Sequence, residues 1–228
     1  MVLREAASRT DESVLAVSLR SQDEFGFWRR AYCLVFKFWF DLAAAALLLL
    51  LLSPLLLAVA LAVRICSGSP VIFRQTRIGK DGRPFVMYKF VTMVKDRRVR
   101  VAPYSGRERR LRHKTEGDPR VTGLGLLLRR TSIDEFPQLI NVLRGEMSLV
   151  GPRPELPEIV SRYQPWQHQR HRVRPGLSGW WQVHGRKIQP MYEHTDLDIY
   201  YVMNQSLWLD LKILWRTLPL VIWRYGSF

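Results

Sequence analysis

Hydrophobic and polar residues are unevenly distributed along this chain. Residues 1–30 are polar and charge-mixed, with little periodicity before Phe25-Gly26-Phe27-Trp28. They read as a lead-in, either a short amphipathic segment or a partly disordered one. From Leu42 to Val63 the character changes to 22 residues without a charge. As a helix this run measures about 33 Å, enough to cross a hydrocarbon core. It begins too late for a cleavable signal peptide and lacks a small-residue cleavage site. Ser53-Pro54 interrupts it. Proline removes a backbone donor and crowds the preceding turn, but a neighbouring serine can bond the freed carbonyl, so the pair predicts a tolerated kink. Both flanks are basic, with Arg29, Arg30 and Lys37 before the run and Arg64, Arg74, Arg77 and Lys80 after it. A spanning helix keeps its basic residues on one side, whereas two basic sides suit a hairpin that enters and leaves on the cytoplasmic face. The residues alone leave these two topologies evenly matched.

Beyond the apolar run, Pro70–Gln75 alternates like a strand, Ile78–Gly82 supplies a turn, and Pro84–Phe90 reads as a second strand, predicting a small β-hairpin. Residues 120–130 and 133–144 follow helical patterns joined at Thr131-Ser132, with Pro137 either costing the second helix one backbone bond or tightening its turn. Irregular, proline-rich chain continues to Pro157, followed by a predicted helix to about Arg172. Arg174–Gly179 reads as a turn-rich loop leading into Trp180-Trp181-Gln182-Val183. The stretch from Leu207 to Tyr225 is aromatic-rich, basic and amphipathic. It fits the headgroup level of a bilayer and a packed surface helix equally well.

Charge narrows the partners. The net charge is +15, and between Lys95 and Arg130 there are 12 Lys/Arg against 4 Asp/Glu. Nucleic acid, an anionic membrane surface and phosphorylated substrates all fit such a balance, and a solvated loop accounts for much of Arg97–Lys114. The two cysteines, Cys33 and Cys66, flank the apolar run and offer neither a disulfide framework nor metal-ligand spacing, which places the folded part in the cytosol. Histidines 168, 171, 184 and 194 contain no His-x-x-x-His pair, which argues against zinc.

The densest chemistry lies between Arg129 and Pro154. Adjacent carboxylates, Asp134 and Glu135, follow Arg129 by five residues and precede a Pro152-Arg153-Pro154 turn. A carboxylate pair among cations suits displacement at phosphorus, with a nucleophile and charges to neutralise phosphate. Ser132-Ile133-Asp134-Glu135 is also a Ser-x-x-Glu capping box, and the tetrapeptide alone predicts only a helix start.

Taken in order, the motifs carry a resemblance. They are the Ser53-Pro54 break, Tyr88-Lys89-Phe90 with Thr92-Met93, Arg129 with Asp134-Glu135, Val150–Pro154, the Arg174–Arg186 run, and Leu197-Asp198-Ile199-Tyr200-Tyr201-Val202. Over roughly residues 35–225 the chain resembles the bacterial sugar transferases, the monotopic polyprenyl-phosphate phosphoglycosyl transferases. That resemblance implies an α+β, mostly helical fold. It has a re-entrant membrane hairpin over residues 31–66, broken at Ser53-Pro54, and a catalytic domain over 67–228. The domain contains a small β-hairpin, and amphipathic interfacial helices surround a cytosolic active site. It implies transfer of a sugar-1-phosphate from a UDP-sugar to undecaprenyl phosphate, releasing UMP, through an aspartyl-phosphosugar intermediate and with Mg²⁺. It further implies monotopic residence on the cytoplasmic face of the bacterial inner membrane, at the first membrane step of glycan assembly.

Carried over residue by residue, the resemblance makes Asp134 the nucleophile and Glu135 its companion, the two together holding the metal. Lys89 and Arg129 would neutralise the diphosphate, and Arg153 would contact the nucleotide sugar. Arg186 and Asp198 match further polar positions of the active-site face, and Asp210 matches a carboxylate of the C-terminal helix. A helix N-terminus at Asp134 would favour its ionised form. Two positions depart from the usual pattern: Val91 stands where a second cation is usual, and Trp181 replaces a usually small residue, narrowing a sugar pocket or enlarging a membrane-facing rim. A catalytically silent membrane scaffold is the alternative, opposed by the intact Asp134, Glu135, Arg129 and Arg153. A nucleic-acid binder rests on charge alone and lacks any recognition motif. The amphipathic elements leave room for a homo-oligomer.

Overall fold

The computed structural model describes residues 32–93, 120–184 and 195–222. The lead-in at 1–30, most of the basic run including Lys95, residue Arg186 and the end of the C-terminal stretch lie outside these.

A π-helical turn over Tyr32–Phe36 leads into α1 (Lys37–Ser67). The chain stays helical through Ser53-Pro54, because the serine repairs what the proline removes. Pro54 has no N–H for the Leu50 carbonyl, and the Ser53 hydroxyl donates to that oxygen at 2.8 Å. Most of α1 is bare: only 11% of its apolar window is covered by the rest of the chain. Its two halves nevertheless both touch the folded body. Ala45, with Ala44 and Leu49, packs into a core containing Met87, Leu139, Met147 and Tyr201. Val59 and Val63 pack into a second core with Phe90 and Leu128.

The root of α1 is buried and polar. Lys37 donates to Asp210 at 2.5 Å and faces Asp41 at 3.6 Å. Asp41 accepts from the Ser148 hydroxyl at 2.7 Å and the Leu149 amide at 3.3 Å. Tyr32 and Tyr201 both donate to Asp210, at 2.6 and 2.7 Å. Buried charges are tolerated only when paired and hydrogen-bonded in this way. Asp210 is therefore a structural anchor.

The predicted hairpin forms. Strands β1 (Ile72–Ile78) and β2 (Pro84–Phe90) pair antiparallel with Phe73 opposite Lys89. The turn between them uses left-handed Asp81 (φ 55°) and Gly82 (φ 73°). Helix α2 (Gly123–Arg130) is capped by Thr122, whose hydroxyl accepts from the Gly125 amide at 2.9 Å. A 3-10 turn over Ile133–Gln138 follows, and then α3 (Leu139–Leu143). Pro137 thus tightens its turn, the second of its two expected effects.

Three local expectations are corrected. The Ser132/Glu135 capping box is not made: Ser132 is left-handed (φ 57°), and its side chain caps nothing. The single helix expected from Pro157 to Arg172 is two pieces, α4 (Pro157–Val160) and a 3-10 helix over Pro165–Arg172. Pro165 forces Gln164 into an extended conformation (ψ 155°), and Gln164 then caps the second piece. The expected loop after Arg174 contains a strand, β4 (Gly176–Ser178), parallel to β3 (Ser148–Val150). Glycine permits this pairing, since a Cβ on Gly176 would lie 2.0 Å from the Gly151 nitrogen.

Helices α5 (Trp180–His184), α6 (Thr195–Asn204) and α7 (Leu207–Ile222) complete the body. On α7, Leu209, Asp210 and Ile213 face inward, while Trp208 (77% exposed) and Trp215 (74%) stand on the open side. The helix is thus packed on one face, with an aromatic stripe exposed on the other.

Candidate active site

Four segments converge on Asp134 and Glu135. Strand β2 supplies Lys89, the last turn of α2 supplies Arg129, the 3-10 turn carries the carboxylates, and the chain after β3 supplies Arg153. Lys89 Nζ donates to Glu135 Oε1 at 2.6 Å. Arg153 Nη2 donates to the same oxygen at 2.8 Å, and its Nη1 lies 3.4 Å from Oε2. Glu135 is thus clamped from two sides. Arg129 is fixed by its Nε, which donates to Thr92 Oγ1 at 2.9 Å.

Asp134 is treated differently by its surroundings. It is only 8% exposed, and among the described residues nothing donates a hydrogen bond to its carboxylate. Burial pushes its carboxyl up to about 6; Lys89 resists, Glu135 adds to the rise, and Arg129 and Arg153 resist further. Burial also works against ionised Glu135, but Arg153 and Lys89 outweigh it and hold that carboxyl well below the usual range. Glu135 in turn raises the Arg153 guanidinium. Neighbouring carboxylates pushed apart in this way are suited to different roles, one as a fixed anion and the other as a nucleophile or proton acceptor. Asp134 sits on a short 3-10 turn and not at the expected α-helix start, and burial raises its carboxyl despite the cations around it.

The remaining predicted residues separate. Asp198 lies beneath the site at 1% exposure, its Oδ2 accepting from Arg170 Nη2 at 2.5 Å. Arg170 also donates to the Arg153 carbonyl at 2.7 Å and to the Tyr163 hydroxyl, and stands 3.7 Å from Glu155. Among the described residues Asp198 therefore reaches the site through Arg170 and the backbone of Arg153, a correction to its expected place on the active-site face. Arg170 had no sequence signal: it is one cation in a basic stretch, and its partner is 28 residues away. Val91 packs against the second core beside α1. Trp181 is buried, so it forms no membrane-facing rim. Arg186 lies outside the described residues.

Two carboxylates with no third are compatible with Mg²⁺, which is commonly held by one or two carboxylates and substrate phosphates. Among the described residues there is no cluster of three or more His, Cys, Asp or Glu. Asp134, whose carboxylate accepts no hydrogen bond from the described residues, is the better-placed ligand. Glu135 is engaged by two cations.

The family model for bacterial sugar transferases matches residues 32–224. The chain belongs to the bacterial sugar transferase family. This sugar transferase is 42% identical over 191 residues to the sugar transferase EpsL of Bacillus subtilis (strain 168), spanning 83% of this chain and 88% of the relative. It is 41% identical over 185 residues to the UDP-glucose:undecaprenyl-phosphate glucose-1-phosphate transferase of Escherichia coli (strain K12), spanning 78% of this chain but 38% of that longer protein. It is 40% identical over 195 residues to the exopolysaccharide production protein ExoY of Rhizobium meliloti (strain 1021), with 83% and 86% of the two chains covered. The match thus spans most of some relatives and less than half of others.

Proposed function

We propose that this sugar transferase moves a sugar-1-phosphate from a UDP-sugar to undecaprenyl phosphate, at the membrane step that begins assembly of an exopolysaccharide or related glycan. The observation that carries the reading is the unequal pair: Asp134 buried and raised to about 6, beside a Glu135 pinned by Lys89 and Arg153. A carboxylate with a raised pKa is a stronger nucleophile than an ordinary one, yet it is still largely ionised at neutral pH.

In the first half-reaction an Asp134 Oδ attacks the phosphorus bearing the sugar. The bond from that phosphorus to the bridging oxygen breaks, and UMP leaves with the electron pair. In the second, a phosphate oxygen of the lipid attacks the same phosphorus, and the acyl-phosphate bond breaks to regenerate the Asp134 carboxylate. Arg129, Lys89 and Arg153 neutralise charge on the phosphoryl oxygens, which is most of what such a displacement requires. Mg²⁺, held by Asp134 and Glu135 with the diphosphate, would supply Lewis-acid stabilisation of that charge. Splitting the reaction lets a soluble nucleotide and a membrane-held lipid use one site in turn.

The lipid substrate calls for a site at the bilayer surface, and α1 supports a re-entrant anchor on the cytoplasmic face. Its midsection, including Leu50 and Leu57, is exposed, while both of its halves return to the same folded body.

The test is UMP release. Wild type should release UMP from a UDP-sugar only with Mg²⁺, and should exchange labelled UMP into the UDP-sugar with no lipid present. Asp134→Asn should lose both by at least about 10³-fold, the scale expected for removal of a nucleophile. Normal exchange by Asp134→Asn would overturn the nucleophile assignment.

A further inference from the structure

One cleft is not used by the mechanism. It lies between the hairpin turn, the end of α3 and the root of α1, and has a volume of about 570 Å³, within the range of roughly 300–1,000 Å³ typical of small-molecule sites. Four cations line it, Lys80, Arg83, Arg144 and Arg174, against two carboxylates, Asp81 and Glu146. Glu146 is already engaged, accepting from Asn141 Nδ2 at 2.6 Å. Arg174 lies over the Phe38 ring at 4.8 Å, and its Nη1 is buried with no hydrogen-bond partner among the described residues. Lys80 and Arg83 form no ion pair with a described residue. Arg174 Nη2 does face Asp41 at 3.6 Å, and Arg144 donates to the Tyr88 hydroxyl. The unanswered charge of the cleft is therefore that of Lys80 and Arg83, beside one buried Arg174 nitrogen without a partner among the described residues.

Its position identifies the ligand class. Phe85 lines the cleft, and Lys89, four residues along the same strand, reaches the carboxylate pair. That spacing is about 13 Å, which separates the cleft from the reacting atoms. Phe38 belongs to the root of α1, between exposed Phe36 and Trp39, and Ile140 and Leu143 of α3 are exposed beside Arg144. Aromatics and cations at the end of an apolar helix mark the headgroup level of a membrane.

We infer that the cleft lined by Lys80, Arg83, Arg144 and Arg174 binds the phosphate-bearing headgroup of an anionic membrane phospholipid. The inference rests on the reading of α1 as a membrane anchor. A lipid phosphate held there fixes the hairpin turn against the bilayer and sets the tilt of the catalytic body, so that a lipid-borne acceptor meets Asp134.

The full chain in mild detergent, titrated with phosphatidylglycerol or phosphatidylcholine and read by native mass spectrometry, tests this. Wild type should retain one phosphatidylglycerol in preference to phosphatidylcholine. Lys80→Gln/Arg83→Gln, and separately Arg144→Gln, should weaken that retention about tenfold, in line with juxtamembrane cations. The Arg162→Gln protein, which loses the same charge as Arg144→Gln at an exposed position that does not line the cleft, should retain it as wild type does. Equal loss in that control, or none in the cleft variants, overturns the proposal. So does competition by free glycerol phosphate at the concentration of the lipid, which would make the ligand a soluble phosphate ester. All of these proteins should float with phosphatidylcholine vesicles through α1. Failure of wild type to float would instead remove the membrane reading, and the lipid site with it.

Discussion

Asp134 shows how far a residue's chemistry depends on its cover. Its presence beside Glu135 among cations was legible in the sequence, and so was its candidacy as nucleophile. Its raised pKa was not, because burial is contributed by segments that meet only in the folded chain. The consequence for activity has a definite sign. If Asp134 is the nucleophile, as proposed, it must be ionised to attack, so UMP release should rise with pH through about 6 and level off above it. Burial also pushes Asp198 up to about 6, against the pull of Arg170. The acid limb should therefore persist in Asp198→Asn, which retains Asp134. Stability runs the other way. A carboxyl raised above its unfolded value of 3.8 stabilises the fold while protonated, and that contribution is lost as pH rises through about 6. Ionised Asp134 therefore costs the native state on the order of 1–3 kcal/mol at neutral pH. Asp134→Asn should melt higher than wild type at pH 7.5, with the gap closing towards pH 4. A lower melting point at pH 7.5 would show that burial does not set this group's charge.

At the scale of elements, the local pattern succeeded where the determinants were local. The hairpin pairs where the sequence alternates, with Phe85 and Met87 of β2 buried on either side of exposed Val86, and Pro137 tightened the turn it entered. The capping box failed because Ser132, joining α2 to the 3-10 turn, is left-handed where a capping residue is extended, and its side chain makes no cap hydrogen bond. The helix predicted to reach Arg172 failed because a proline acts on the residue before it. The support beneath Arg153 was invisible for a different reason. Its members, Arg170, Glu155, Tyr163 and Asp198, are scattered over three segments and share no periodicity. Asp198→Asn would leave Arg170 buried with less opposing charge, and breaking a buried pair typically costs about 3–5 kcal/mol. The expected outcome is a lower melting temperature together with a raised KM for the nucleotide sugar, because Arg170 positions Arg153 through its carbonyl. Exposed Glu158→Gln should change neither. An Asp198→Asn protein that melts lower but keeps its KM would reduce this layer to scaffolding.

For the whole molecule, the decisive relation is between α1 and the body it returns to. The apolar run was plain in the sequence, but its basic flanks left spanning and re-entrant topologies balanced, because charge counts report only on the ends. Packing reports on the length between. Lys37 and Asp41 tie the first half of α1 to α7, β3 and Arg174. Val59 and Val63 set the second half against Phe90 and Leu128, close to the strand that carries Lys89. A helix of 31 residues is about 46 Å long, and one that crossed the bilayer would carry its second half away from the body, against the re-entrant anchor proposed above. On the proposed re-entrant reading, two exposed apolar surfaces, the midsection of α1 and the Trp208–Trp215 stripe of α7, belong to the same leaflet. Cys66, exposed at the end of α1, is a native reporter of that geometry. In a Cys33→Ser background, an impermeant maleimide should label Cys66 and a cysteine introduced at Ser21 from the same side in oriented inner-membrane vesicles. It should label both in inside-out vesicles and neither in sealed right-side-out ones. Labelling of the two from opposite sides would make α1 a span and leave the contacts of its second half to be made across a membrane, which no packed core allows.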